Sequence, residues 1–156
     1  MPTMNEAASA FLAHKRIAVT GVSRHPGNHG SNAVFKRLRD RGYDVFAINP
    51  HAEQVEGVRS YPDLSSIPGG VEAVVIATAP DKAEGTMREC VQLGIKHVWM
   101  HRGYGAGSVN PAAAVYGREH GVAVIDGGCP LMFEPTADFA HKAMRVLFAG
   151  NIPRTV

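Results

Sequence analysis

The sequence predicts a single α/β domain built on a doubly wound parallel sheet, and two observations lead to this prediction. Short, continuous apolar runs recur along the chain, as in strands that are buried on both faces of a parallel sheet. Segments with helical periodicity separate these runs, and glycine or proline marks most of the boundaries. Strands that alternate with helices at this spacing are typical of right-handed βαβ crossovers.

The helices are predicted where apolar residues recur at spacings of three and four. The N-terminal helix is expected over about residues 5–14, with Asn5 as its N-cap. The next helix is expected from Ser31 to Arg41, with its basic residues facing water. Two further helices, each opened by a proline, are expected over residues 80–93 and 111–120.

The last helix is expected over about residues 136–148 as an amphipathic segment. The inward set is predicted to be Phe139, Ala143, Val146 and Leu147, and the outward set His141, Lys142 and Arg145.

The strands are predicted within the core of the domain, from about residue 16 to residue 130. They are expected over residues 17–20, 44–48, 73–77, 96–100 and 122–125, with a short edge strand at 58–61. In an open parallel sheet, ligands bind outside the carboxyl ends of the strands, at the point where the strand order reverses. The loops that follow these strands are therefore the places to search for function.

Composition limits the classes of function. The chain has 156 residues, of which 45% are hydrophobic and 19% charged, and this is ordinary for one globular domain. A net charge of +2 does not indicate a nucleic acid or membrane partner. Cys90 and Cys129 lie far apart and suit two free thiols in a reducing compartment. With neither a signal peptide nor a membrane-length apolar run evident, we expect a cytoplasmic protein.

The first strand-end loop, "GVSRHPGNHGS", has the features of a phosphate-binding loop. Its glycines permit close approach of a ligand, and the helix that begins near Ser31 directs free N–H groups and a positive dipole toward it. The spacing matches neither G-x-G-x-x-G nor a P-loop. A glycine-rich turn without a ligand is the alternative. Side chains that could add donors or charge are Ser23, Arg24, His25 and Asn28.

The second loop, "INPHAEQVEG", lacks the carboxylate that an NAD enzyme presents to a ribose. Asn49 and Pro50 occupy that position, and a charged His51 could meet a phosphate on the ribose instead. The pattern disfavours NAD more than NADP. Asn49-Pro50 could also be a turn and nothing more.

The remaining loops are less specific. Ala79-Pro80 ends the third strand in residues that would let a slender ligand lie against it. The fourth loop continues from Met100 into His101, Arg102 and Gly103, and the fifth carries Asp126 and Cys129.

The residues give little support for a metal site or for nucleophilic catalysis. His25 and His29 lie in a glycine loop without the helical H-E-x-x-H pattern of a zinc site. Ser23 is not in a nucleophile elbow, and Cys129 fits an inert packed thiol better than a nucleophile. No constellation of catalytic residues is evident.

Taken together, the loops resemble those of the small stand-alone CoA-binding domain proteins, which are related to the N-terminal domain of the succinyl-CoA synthetase α subunit. The resemblance covers about residues 16–130. The segments that carry it are "AVTGVS", "HGSNAVFKRLRDRGYDVFAINP", "VEGVRSYPDLSSIP", "VEAVVIATAP", "GIKHVWMHRG" and "GVAVIDGGCP".

The resemblance implies a Rossmann-like fold that binds coenzyme A or an acyl-CoA. It implies that Gly21, Val22 and Ser23, with the helix start from Asn28 through Gly30 to Ser31, hold the pyrophosphate. Asn49, Pro50 and His51 would lie by the adenosine, with His51 or Arg24 near its 3′-phosphate. Ala79 and Pro80 would border the adenine or the pantetheine arm, and Met100, Arg102 and Gly103 the far wall.

Departures from the family pattern concern the thiol end of the implied site. The family often shows Gln where this chain has His101, and basic residues near Cys129 and Pro130 where glycine and leucine stand here. The chain also shows nothing like the second synthetase domain, so the resemblance implies a binding module and no enzyme. An NADP-linked oxidoreductase, a nucleotide-sugar enzyme and the CoA-binding subunit of a split acyl-CoA synthetase stay as alternatives. So does a vestigial Rossmann domain, and the oligomeric state is left open.

Overall fold

The computed structural model describes residues 1–25, 30–103 and 107–156. Its core is a sheet of seven strands in the order β3-β4-β2-β1-β5-β6-β7. All neighbouring strands pair in parallel except β3 and β4, which are antiparallel. This confirms the predicted α/β parallel sheet. The strands are β1 (Arg16–Thr20), β2 (Asp44–Ile48), β3 (Gln54–Val55), β4 (Val58–Tyr61), β5 (Ala73–Ile76), β6 (His97–Met100) and β7 (Ala123–Asp126).

Two hydrophobic cores cover the two faces of the sheet. Alternate residues of β1 enter different cores, Ile17 and Val19 one of them and Ala18 the other, as strand geometry requires. Helices α1 and α2 pack on the first face, and α3 and α4 on the second. The helices are α1 (Met4–Leu12), α2 (Gly30–Asp40), α3 (Pro80–Gln92), α4 (Pro111–Glu119) and α5 (Phe139–Leu147).

The reversal of strand order places the carboxyl ends of β1 and β5 side by side. From β1 the chain builds outward through β2 and β4, and it then returns to β5 on the opposite side of β1. The Ala77 N–H, just past β5, donates to the Thr20 hydroxyl at the end of β1 over 3.0 Å. This is the topological switch point at which ligands of such sheets bind.

The structure corrects the predicted start of α1. Thr3, not Asn5, is the N-cap: its hydroxyl accepts from the Glu6 N–H, and the Glu6 carboxylate accepts from the Thr3 N–H over 2.7 Å. This reciprocal capping box satisfies two free backbone donors, which Asn5 cannot do from inside the first turn.

The predicted faces of α5 are also wrong, except that Lys142 is exposed as expected. The helix begins only at Phe139, because Asp138 caps it by accepting from the His141 N–H over 2.7 Å. Phe139, Val146 and Leu147 are 89%, 77% and 76% exposed. The side turned to the protein instead carries His141, Met144 and Arg145.

An ion pair with a residue of helix α2 orients the two faces of α5. Arg37, which was expected to face water, places its Nη2 atom 2.8 Å from Asp138 Oδ2 and donates from Nη1 to the Thr136 carbonyl over 3.0 Å. Because Asp138 is the cap of α5, this ion pair fixes the direction in which the polar side of the helix points. No helix in the described ranges is long and apolar enough to cross a membrane.

Two helical glycines test the packing of the second core. A methyl group at Gly117 of α4 would lie 2.7 Å from Met87 Sδ and 2.9 Å from Val124 Cγ2, whereas one at Gly85 of α3 would meet no atom within 4 Å. We expect Gly117→Ala to lower the free energy of unfolding by roughly 1–2 kcal/mol, because overpacking exceeds the gain in helix propensity. Gly85→Ala, the matched control, should raise it by about 0.5–1 kcal/mol. Thermal and urea unfolding of the ligand-free proteins measure both, and a stabilising Gly117→Ala would contradict the packing described.

Candidate functional site

A cleft of about 640 Å³ opens at the switch point. It lies between the carboxyl ends of β1 and β2, the residues that follow β5, and the first turns of α3. We call it the central cleft. The lining residues that matter below are Gly21, Ser23, Asn49, His51, Thr78 and Lys82.

Gly21 brings the first loop against the end of β5. Its φ of +73° is strained for any side chain, and a Cβ atom there would lie 2.7 Å from the Ala77 carbonyl oxygen. Only glycine fits both conditions, so this position sets how closely the loop after β1 can approach the neighbouring strand end.

Asn32, in the first turn of α2, holds the same loop from its other side. It is 1% exposed, and its side-chain oxygen accepts from the Ser23 N–H over 2.8 Å. Its amide group donates to the Ser23 carbonyl and to Glu56 Oε1, each over 2.8 Å. Sequence reasoning missed both Asn32 and Glu56, because an asparagine one residue into a helix resembles an ordinary surface residue until the loop folds onto it.

Asn49 ties the tip of β2 to the first loop. Its amide donates to the Val22 carbonyl over 3.0 Å, and its oxygen accepts from the His51 N–H over 2.8 Å. Arg24 reaches the same place, with Nη1 3.4 Å from the His51 carbonyl oxygen. The structure thus brings together the three predicted residues Arg24, Asn49 and His51, with the Asn49 side chain bonded to backbone.

Thr78 contributes a hydroxyl that sequence reasoning also missed. Its Oγ1 atom is buried at the cleft and makes no hydrogen bond to any part of the chain that the structure describes. A buried hydroxyl without a partner costs free energy, and a ligand that bonds to it would recover that cost. In the sequence, Thr78 is marked only by its place in "ATAP", at the end of a predicted strand.

Charged groups of both signs line the cleft. Lys82 and His51 lie beside two acids, Asp63 and Glu89, and Arg24 approaches to 3.4 Å from the His51 carbonyl oxygen. Hydrogen bonds from Ser66 and Ser65 lower the pKa of Asp63, and Glu89 accepts from the Leu64 N–H over 3.0 Å. An adjoining cleft of about 690 Å³ shares Asn49, Pro50, His51 and Pro62 and adds Arg59 and Glu53.

A second, smaller cavity of about 260 Å³ lies at the ends of β6 and β7, beside the start of α2. We call it the histidine cavity. Burial, together with the neighbouring His141, lowers the pKa of His101 to about 4, so this ring is neutral near pH 7. Burial raises the pKa of the Cys129 thiol to about 12, so it stays protonated. Its walls include Gly30, Ala33, His101, Cys129, His141 and Met144.

The other predicted site residues lie in several places. The Ser31 hydroxyl donates to the Gly21 carbonyl over 2.8 Å, and Arg102 pairs with Gly128 through its N–H over 2.8 Å. Val22 and Met100 are fully buried, and their side chains belong to the cores because strand alternation turns them inward. Pro50 lines the central cleft, and Gly30 and Gly103 line the histidine cavity. Ala79 and Pro80 begin α3 beside the central cleft, and Asn28 lies outside the described residues.

Two further observations bear on chemistry. A third cavity, of about 360 Å³, lies beside α1 and the edge strand β7 and is mostly apolar. Within residues 1–25, 30–103 and 107–156, no three His, Cys, Asp or Glu side chains come together as a metal site.

The role of Asn32 predicts the effect of a nearly isosteric change. Asn32→Asp keeps the acceptor for the Ser23 N–H but turns the donor into a carboxylate oxygen that faces the Ser23 carbonyl and Glu56. We expect a loss of roughly 3 kcal/mol in the free energy of unfolding at pH 7. Burial and Glu56 would raise the pKa of the new carboxyl group above its unfolded value of about 3.9, so the loss should shrink as pH falls through that raised pKa and level off below about pH 4.

Urea unfolding at several pH values measures this effect. The control is Asn5→Asp, because Asn5 is exposed in the first turn of α1 and accepts from Arg145 over 2.6 Å. It should be neutral or slightly stabilising at pH 7. An Asn32→Asp protein as stable as the control would show that the amide does not hold the loop.

The chain is similar to several known proteins over most of its length. The chain is 30% identical to a hypothetical protein from Pyrococcus horikoshii whose solved structure superposes with a TM-score of 0.74, covering 81% of this chain and 87% of that one. It is 28% identical to the uncharacterized protein YneT of Bacillus subtilis over 82% of this chain and 91% of YneT.

A larger relative has a named activity. The chain is 35% identical to the alpha subunit of acetate–CoA ligase (ADP-forming) II from Pyrococcus furiosus over 89 residues, 56% of this chain. The matched region is only 19% of that subunit, so the chain corresponds to a small part of the ligase. The family model described as the CoA binding domain matches residues 15–135. The chain therefore belongs to the CoA binding domain family.

Proposed function

We propose that this protein binds coenzyme A, or an acyl-CoA, across the strand-end loops and does not itself catalyse a reaction. The observation that carries the proposal is the tip of β2 in a chain of this family. There Asn49 is bonded to backbone and presents no carboxylate, while Arg24 and His51 lie beside it. Coenzyme A carries a phosphate on the 3′-oxygen of its ribose, so a cationic tip without an acid suits it, whereas NAD enzymes use an acid there.

The central cleft would hold the nucleotide end of the ligand. Its volume and its Thr78 hydroxyl suit the adenosine, and Arg24, His51 and Lys82 would neutralise phosphate charge. Because the Ser23 N–H already bonds to Asn32, donors to the pyrophosphate would come from the first turn of α2, starting at Gly30.

The histidine cavity would hold the opposite end. Gly30 lines this cavity, and Gly21, nine positions earlier in the chain, lines the central cleft. A pyrophosphate at the start of α2 would therefore let the pantetheine arm enter the cavity. Since His101 is neutral there, the cavity suits the thiol arm better than a phosphate.

A second candidate function is that of a CoA-binding subunit in a split acyl-CoA synthetase. The 35% identity to a ligase alpha subunit favours it. In that case a partner chain would supply the ATP-dependent chemistry. Acid-dependent ATP turnover that appears only when such a partner is added would support this alternative over a stand-alone binding module.

The proposal predicts a specific order of ligand affinities. Calorimetry and thermal unfolding with coenzyme A, dephospho-CoA, NAD and NADP should show the strongest stabilisation by coenzyme A, about 4 kcal/mol at a concentration 1,000 times its Kd. Dephospho-CoA should bind more weakly, because it lacks the 3′-phosphate. Preference for NADP, or no shift with any ligand, would contradict the proposal.

Substitution of Arg24 tests where the 3′-phosphate of coenzyme A binds. Arg24→Ala should weaken coenzyme A by about 1 kcal/mol, roughly fivefold, and leave dephospho-CoA nearly unchanged. Arg88→Ala, on the exposed side of α3 where Arg88 pairs with Glu84 over 3.0 Å, is the matched control and should change neither affinity. If Arg24→Ala lowered the affinities for coenzyme A and dephospho-CoA equally, the 3′-phosphate would bind elsewhere.

A further inference from the structure

The histidine cavity contains a carboxylate–imidazole pair that the binding of a nucleotide does not require. His141 Nδ1 lies 2.8 Å from Asp138 Oδ1 and 2.9 Å from Oδ2. Both residues are partly buried, and Arg37 binds the same carboxylate over 2.8 Å. They lie beyond residues 15–135, the range that the family model matches.

The hydrogen bonds assign the tautomer of His141. Partial burial opposes ionisation of Asp138, but hydrogen bonds from the His141 N–H and ring hold the pKa of that carboxyl below its usual value. An ionised carboxylate only accepts, so Nδ1 carries a proton, and in the neutral form of the ring the free lone pair is therefore on Nε2. Nε2 makes no hydrogen bond to a residue in the described ranges.

The surroundings leave this lone pair for a ligand. Among the residues that the structure describes, three groups face the ring from other elements. They are Arg37 of α2, which is bound to Asp138, His101 after β6, which is neutral, and Cys129 after β7, which is protonated. On its own helix, Lys142 pairs with Glu134 and Arg145 with Asn5. None of these groups competes as a strong proton donor inside the cavity.

We propose that the Asp138–His141 pair accepts the proton of the coenzyme A thiol, so that the ligand is held as a thiolate in the histidine cavity. This inference rests on the proposed function. The S–H bond breaks and an Nε2–H bond forms, the negative charge stays on sulfur, and Asp138 stabilises the resulting imidazolium. The step is a proton transfer without oxidation or reduction, and no co-reactant is needed.

The proposal also specifies the ligand class. An acyl thioester has no proton to give to Nε2, so the pair favours the free thiol over an acyl-CoA. A bound thiolate is the nucleophilic form of coenzyme A. The site would then serve to present reactive coenzyme A and not to store acyl groups.

The test measures the protonation of the bound thiol directly. Coenzyme A labelled with carbon-13 at the methylene beside sulfur is titrated with pH in complex with the protein and followed by NMR, which distinguishes the ligand thiol from both cysteines. We expect its apparent pKa to fall at least about one unit below the ordinary thiol value of about 8.5. His141→Gln should abolish the shift. Asp138→Asn, which keeps a helix cap, should reduce it because Asp138 positions the ring.

Controls separate this proposal from the function on which it rests. Adenosine 3′,5′-bisphosphate should bind all variants equally, which shows that they fold, and His120→Gln on the exposed part of α4 should leave the thiol shift intact. If coenzyme A binds but its thiol titrates normally, or if the shift survives His141→Gln, the proton-acceptor role is overturned and the binding function stands. If coenzyme A does not bind, both are overturned.

Discussion

The hydrogen bonds of the buried Asn32 amide are the interaction on which the candidate site depends. Through Ser23, this single side chain fixes the loop after β1, and through Glu56 it connects that loop to the turn between β3 and β4. Asn49 adds a second tie from the tip of β2. Without them, a glycine-rich loop would have too much conformational entropy to present a preformed site. Polar side chains that look suited to a ligand, such as that of Asn49, instead make the hydrogen bonds that hold the loops of the site in place.

The fold divides the site into two electrostatic environments. At the central cleft, Lys82 and His51 lie beside two acids that are held by hydrogen bonds from a cap and from backbone. At the histidine cavity burial removes the charge of His101 and suppresses ionisation of Cys129. A ligand with a charged nucleotide at one end and a pantetheine arm at the other matches this division. Helix α2 lines the histidine cavity with Gly30, and its Arg37 holds the cap of α5.

Much of the fold follows from sequence patterns, because strands buried on both faces and helices with an apolar stripe leave a direct record in residue order. The positions of the longer strands along the chain were predictable for the same reason. The two-residue strand β3 was not, since so short a segment has no periodicity. The prediction for helix α5 failed for a different reason. Its apolar residues have helical spacing, but the ion pair between Arg37 and Asp138, which lie 101 positions apart, turns them outward. Asn32 and Glu56 escaped notice because they bond to each other from positions 24 residues apart, and Thr78 because nothing in the sequence marks its hydroxyl as buried without a partner.

The central claim is that coenzyme A spans both spaces, and a crystal structure of the complex tests it most directly. The account predicts the adenosine in the central cleft beside Thr78 and His51, the pyrophosphate at the start of α2, and the sulfur atom within hydrogen-bond distance of His141 Nε2. A ligand bound instead in the apolar cavity beside α1 and β7, or with its thiol directed away from His141, would contradict it.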